Sequence, residues 1–131
     1  MANILANVGR ALLITRLMSG GTEPKQVGWG TGAGTSAVTD TTLFGEKALD
    51  LATATGTRVA GTSSAVTTTI TGDTHQTVAT LTAAGPGTIT NAGTFDNSTI
   101  GSGNLFLKGD FAATTLGIGD AVTFTFKLQQ I

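Results

Sequence analysis

Cysteine and tyrosine are absent from the chain, and tryptophan and histidine occur once each, as Trp29 and His75. Without cysteine there are no disulfides, no thiolate catalysis and none of the usual zinc sites, and nothing decisive follows about compartment. Charge is also scarce. Only 11% of residues are Asp, Glu, Lys or Arg, against about 25% in an ordinary soluble domain. Seven basic and eight acidic side chains leave a net charge of −1, so there is no electrostatic footprint for phosphate backbones and nucleic acid is disfavoured as a partner. No window approaches the roughly 18 to 20 apolar residues of a membrane span, so no membrane partner is expected.

In place of charge the chain carries hydroxyls and small residues. Thr (27), Gly (19) and Ala (17) supply 63 of 131 positions, which predicts a neutral, threonine-rich surface. That length suits one domain. Size scaling gives roughly 6,400 Å² of folded surface against roughly 19,000 Å² unfolded, enough difference for a real core.

Helical spacing is confined to residues 2–19, where Leu5, Val8, Leu12 and the Arg16/Leu17 region recur at three to four residues. Asn7 is placed to cap this helix and the Gly20-Gly21 pair to end it. The apolar run Ala11 to Ile14 is short, Arg16 interrupts it and no basic region precedes Ile4. A retained helix of a soluble protein is therefore expected rather than a signal peptide.

From Lys25 onward the period is two, in short Thr- and Val-rich segments separated by glycine, the habit of sandwiches and jelly rolls. In the clearest, Val122, Phe124, Phe126 and Leu128 face one way and Thr123, Thr125 and Lys127 the other. A second opposes Leu105 and Leu107 to Phe106 and Lys108. Thr77 to Thr82 and Thr67 to Thr71 read as a hairpin across Gly72-Asp73; Gly87 to Asn91, Gln26 to Gly30, Ala48 to Thr53 and Thr57 to Thr62 bring the count near eight. The expectation is an all-β, jelly-roll-like antiparallel β-sandwich spanning one domain, 1–131, with a helical segment over 1–21 and the sandwich over 22–131. Stiff β-branched threonine suits such strands. So few charges also leave strand edges short of the groups that usually block pairing.

Chemical motifs are weak. Gly28, Gly30 and Ala33 formally satisfy a dinucleotide-binding pattern, but phosphate cradling needs a helix after the loop, and Thr35-Ser36-Ala37-Val38-Thr39-Asp40-Thr41 is a poor one. A strand ending in a glycine loop, with Trp29 packed on the sandwich, is the better reading. A triad needs a histidine beside Ser or Thr, and His75 falls at a turn with no nucleophile-elbow serine in the chain. The eight carboxylates are scattered singly, most beside Gly, Thr or Asn, as turn residues are. Asp96-Asn97 and Gly119-Asp120 read as backbone-bonding side chains, with a weak calcium site the alternative. Asn97-Ser98-Thr99 is a formal glycosylation sequon that matters only in a secretory pathway. No catalytic residue, metal ligand or cofactor is implied.

Several phrases, in order, resemble the small virion structural proteins of tailed bacteriophages, a resemblance spanning nearly the whole chain. They are Asn7-Val8-Gly9-Arg10, Gly28-Trp29-Gly30-Thr31-Gly32, Thr39-Asp40-Thr41-Thr42-Leu43-Phe44-Gly45-Glu46, Arg58-Val59-Ala60-Gly61-Thr62, Ile89 to Asp96 and Gly103 to Phe111, with the Gly119 to Lys127 strand. Those proteins include jelly-roll cement or decoration proteins. The resemblance implies a non-enzymatic protein, made in the host cytoplasm, that binds the outer surface of the head shell and bridges major capsid protein subunits. Tail, fibre or baseplate components are the alternative within the virion, and a carbohydrate-binding sandwich, with Trp29 as its stacking ring, is the alternative outside it. A neutral surface suits a crowded array, because copies of one large charge would repel each other. Contacts to the shell or to a sister copy are expected from the N-terminal segment and the loops near Gly28 to Thr42, through Val8, Leu12, Arg16, Trp29, Thr31, Thr35 and Thr39. Uncharged edges and the helix favour a homo-oligomer, with a dimer favoured and a trimer next.

Overall fold

The computed structural model describes residues 3–130 and is an antiparallel β-sandwich with one helix. Nine strands are present: β1 (Ile4–Leu5), β2 (Gln26–Gly30), β3 (Glu46–Lys47), β4 (Val59–Ala60), β5 (Thr62–Val66), β6 (Thr74–Thr82), β7 (Gly87–Phe95), β8 (Leu105–Leu116) and β9 (Ala121–Gln129); the helix α1 is Asn7–Leu17. One sheet runs β1-β8-β7-β2-β3, with β4 also on β2; the other runs β5-β6-β9. The chain changes sheets at Gly61, between β4 and β5, where its N–H donates to Lys25 O across 2.7 Å.

The two inner faces meet as the alternation in β9 predicts. Phe124 and Phe126 are buried beside Ala79 and Leu81 of the same sheet, and opposite them lie Val27, Trp29, Ile89 and Ala92. Trp29 meets Phe124 edge-on at 6.5 Å, and its Nε1 donates to Ala48 O at 3.2 Å, so the indole is both packed and satisfied.

β8 departs from the expected alternation. Gly93 pairs with Lys108 but Phe95 with Leu105, so β8 carries one extra residue there. This bulge turns Phe106 and Leu107 together into the main core, and sends Leu105 and Lys108 to the other side of the sheet. The N–H of Leu107 is taken by Thr94 Oγ1 at 3.1 Å. The far side is covered too: Leu105 packs with Ala6, Leu43 and Phe95 in a second cluster, and Lys108 is wholly buried.

Other boundaries shift for physical reasons. Thr67 to Thr71 is a loop rather than a strand, because Asp73 accepts the N–H groups of Thr68, Thr69 and Ile70 at 2.9–3.0 Å and curls the chain. The strand that pairs with β6 is β5, just upstream. Ala48 to Thr53 is a turn held by Asp50, which accepts from Ala52 and Thr53. The N-terminal segment opens with a strand, since β1 pairs with β8; α1 begins after Ala6, which supplies no side-chain cap, and Asn7 is its first residue. The expected start at Ala2 lies outside the described residues. At the other end Ser19, not a glycine, takes the left-handed position (φ 63°), with Gly20 N–H on Thr15 O and Ser19 N–H on Arg16 O closing the last turn.

Candidate functional site

The glycine-rich stretch has a structural use. A Cβ at Gly28 would sit 2.5 Å from Glu46 Oε2, one at Gly32 2.9 Å from Phe44 C, and one at Gly34 2.7 Å from the Phe44 ring, while one at Gly30 would strike Phe44 O. The four glycines thus form a trough that receives Phe44-Gly45-Glu46. Asn91, fully buried, fixes that segment from the side, accepting from Phe44 N–H and donating to Phe44 O, both at 3.0 Å. The dinucleotide pattern is the outline of this trough, and residues 31–38 after it carry no helix.

Two buried cations hold the same region. Arg58 binds Glu46 through Nε and Nη2 at 2.7 and 2.8 Å, gives Nη1 to the carbonyls of Asn97 and Ser102, and lies 3.5 Å above the Phe95 ring. Lys108 Nζ donates to Asp40 and to Thr42 O at 2.8 and 2.9 Å, over the Phe44 ring. That bond, with help from Ala37 N–H, holds the Asp40 carboxyl below its ordinary value against the cost of desolvation. Asp96 takes Asn104 N–H and Asp120 takes Gly117 N–H within their own loops, whereas Asp110 reaches across the chain to Ser36 N–H and Glu23 pairs with Lys25. Among the described residues no group of three or more His, Asp or Glu side chains could hold a metal ion.

His75 lies in β6, not at an exposed turn, and is half-buried with Phe106 edge-on at 6.0 Å. Burial pushes its pKa down, and nearby Glu23 opposes the shift. No serine or threonine is bonded to it, and its buried Nδ1 has no partner among the described residues.

The outstanding surface feature is α1. Gly9 and Leu12 are its buried residues, and Gly9 rides on the backbone of Phe106, where a Cβ would come within 2.7 Å of the carbonyl oxygen. Leu13, Ile14, Leu17 and Met18 are 37, 57, 76 and 78% exposed. Beside them a groove of about 960 Å³ separates α1 from the β5-β6-β9 sheet, lined by Leu5, Leu13, Leu17, Ala65, His75 and Leu128. The α1 start is tied to the loop after β2 by Asn7 N–H on Val38 O at 2.7 Å, and Val38 is itself 44% exposed. No described helix is long and apolar enough to cross a membrane.

The expected contact residues divide. Arg16, Thr35 and Thr39 are exposed, while Val8 and Thr31 are half-buried. Leu12 and Trp29 are corrected to core positions, 5 and 0% exposed, because the sheet they pack on needs both to fill it. Trp29 therefore offers no ring for sugar stacking. Leu13, Ile14, Leu17 and Met18, exposed and apolar, are not among the expected contacts. The signal was in the sequence: Leu12-Leu13-Ile14 and Leu17-Met18 are too apolar for one stripe of an 11-residue helix to bury. Comparison with known protein families, curated proteins and solved structures finds no match to this chain.

Proposed function

We propose that the chain is a non-enzymatic virion structural protein that binds the outside of a phage head shell and bridges major capsid protein subunits. The observation that carries this reading is the uncovered apolar face of α1, with Leu17 and Met18 more than three-quarters exposed on an otherwise neutral chain. Contiguous exposed apolar surface of this kind marks an interaction site. The virion setting comes from the sequence resemblance. The phrases that carry it supply the trough, the Arg58–Glu46 and Lys108–Asp40 pairs and the seat of α1, so they mark a rigid scaffold for that face.

The test is add-back to heads stripped of the protein, read by cryo-electron microscopy and by co-sedimentation. Density bridging subunits on the outer shell is expected, with binding weakened about tenfold or more by Leu17→Glu with Met18→Glu, since few residues carry most of an interface. Density in the tail or fibres and none on the shell would replace this reading by the tail-component one.

A further inference from the structure

We propose that the outer edge of β9 joins two copies of this chain, by antiparallel pairing with β9 of a second copy about a two-fold axis. The inference stands apart from the capsid reading and rests on how the sheets end. In the six-stranded sheet β3 and β4, of two residues each, cap β2, and β1 covers Leu107 and Lys108 of β8, whose remaining edge is broken by a register shift between Asp110 and Thr114 and carries the charge of Asp110. The other sheet ends in β5, of five residues, and β9, of nine. β9 pairs with β6 over its full length without a bulge, from Thr74↔Gln129 to Thr82↔Ala121. It contains no proline and a single charge, Lys127. Bulges, prolines, charges and brevity are what keep edges from pairing, and β9 has almost none of them.

Two bonds fix which backbone groups face outward. Asn3 Nδ2 donates to Lys127 O at 3.1 Å from beyond the sheet, whereas Gln130 N–H donates to Asp73 O on the β6 side. Because direction alternates along an antiparallel strand, Ala121, Thr123 and Thr125 point their N–H and C=O groups away from β6. Among the described residues no hydrogen bond reaches these outward groups of Thr123 or Thr125. Half-buried Val122, Leu128 and Phe111 flank this side of the core with apolar surface.

A second copy fits this edge in register. A two-fold through Thr123 sets Thr125 opposite Ala121 of the partner subunit, makes about six backbone hydrogen bonds, leaves the Asn3–Lys127 bond intact and keeps both Lys127 charges away from the axis. Threonine pairs already link strands inside the molecule, Thr80 to Thr123 at 2.7 Å and Thr88 to Thr115 at 3.1 Å, so the joined sheet extends an existing pattern. Pairing β9 with β5 of the next copy would instead be heterologous, and would close into a ring or run on as a filament.

Light scattering and sedimentation of the full chain at about 50 µM test this. A mass twice the 13.1 kDa of the chain is expected. Thr123→Pro should give a monomer with unchanged far-UV circular dichroism, since the lost N–H does not serve β6. Leu17→Glu should leave the dimer intact. Amide exchange on the wild-type dimer gives a readout independent of folding in the variant: the Thr123 and Thr125 amides should exchange at least tenfold more slowly than in dilute monomer. A monomeric, trimeric or filamentous wild type, unprotected Thr123 and Thr125 amides, a Thr123→Pro dimer, or loss of the dimer in Leu17→Glu would each overturn the proposal.

Discussion

Arg58 and Lys108 show how a chain with little charge uses it. Both are buried, and each is matched by one carboxylate, by backbone carbonyls and by an aromatic face. A paired buried ion adds little net stability, because desolvation offsets attraction, but removing one partner leaves the other uncompensated. Glu46→Ala should therefore destabilise the fold by about 3–5 kcal/mol, read as a lower urea midpoint with unchanged slope. Replacing the pair by apolar residues, Glu46→Leu with Arg58→Met, should cost clearly less than Glu46→Ala alone. Equal losses would mean that Arg58 serves mainly through its bonds to Asn97 and Ser102.

At the scale of elements, the trough formed by Gly28, Gly30, Gly32 and Gly34 sets where Phe44 to Glu46 can lie, and hence where both carboxylate–cation pairs form. Gly30→Ala would push a methyl onto Phe44 O and beside the amide of Asn91. A loss of about 1–3 kcal/mol is expected from such overpacking. Gly117→Ala, with nothing nearer than Asp120 at 3.6 Å, should stay within about 0.5 kcal/mol of wild type; chemical denaturation of the two variants makes the comparison. Which elements were legible in the sequence follows from the same physics. β9 could be read closely because one face meets the core and period two survives intact; β2 was legible from Val27 and Trp29, although Phe44 to Glu46 covers its other face and buries Gly28 and Gly30 as well. β8 could not be read so, since its bulge depends on a partner strand 10 or more residues away in sequence and inverts the face of every residue beyond it. Lys108 therefore read as sharing a face with Phe106, whereas it lies buried on the side of Leu105. Trp29 was legible as core and misleading as a contact. The exposed side of α1 went unread because helical spacing identifies the residues that can be buried, not those for which the fold has no room.

For the molecule as a whole, the ionisable groups that the fold perturbs all act in one direction. Burial lowers the pKa of His75, so the folded state binds its proton less readily than the unfolded chain, where histidine titrates near 6.5. Its contribution is fully present above that value and is lost as pH falls below it. Glu23, Asp40, Asp50, Asp73 and Asp110 are all held below their ordinary values by hydrogen bonds, Asp50 to about 2. Their contributions are present above the unfolded values of 4.5 for Glu and 3.8 for Asp, and disappear as pH falls through the folded ones. The melting temperature should therefore be flat above about pH 7, decline as pH falls below the unfolded histidine value because the unfolded chain takes up a proton that folded His75 resists, and drop steeply below about pH 4.5. Scanning calorimetry across this range checks the two stages, and His75→Gln separates them. The variant should lose the upper stage and keep the lower one, because no carboxylate among the five except Glu23 is coupled to the imidazole. An upper stage that survives in His75→Gln would mean that a group other than this half-buried imidazole releases stability there.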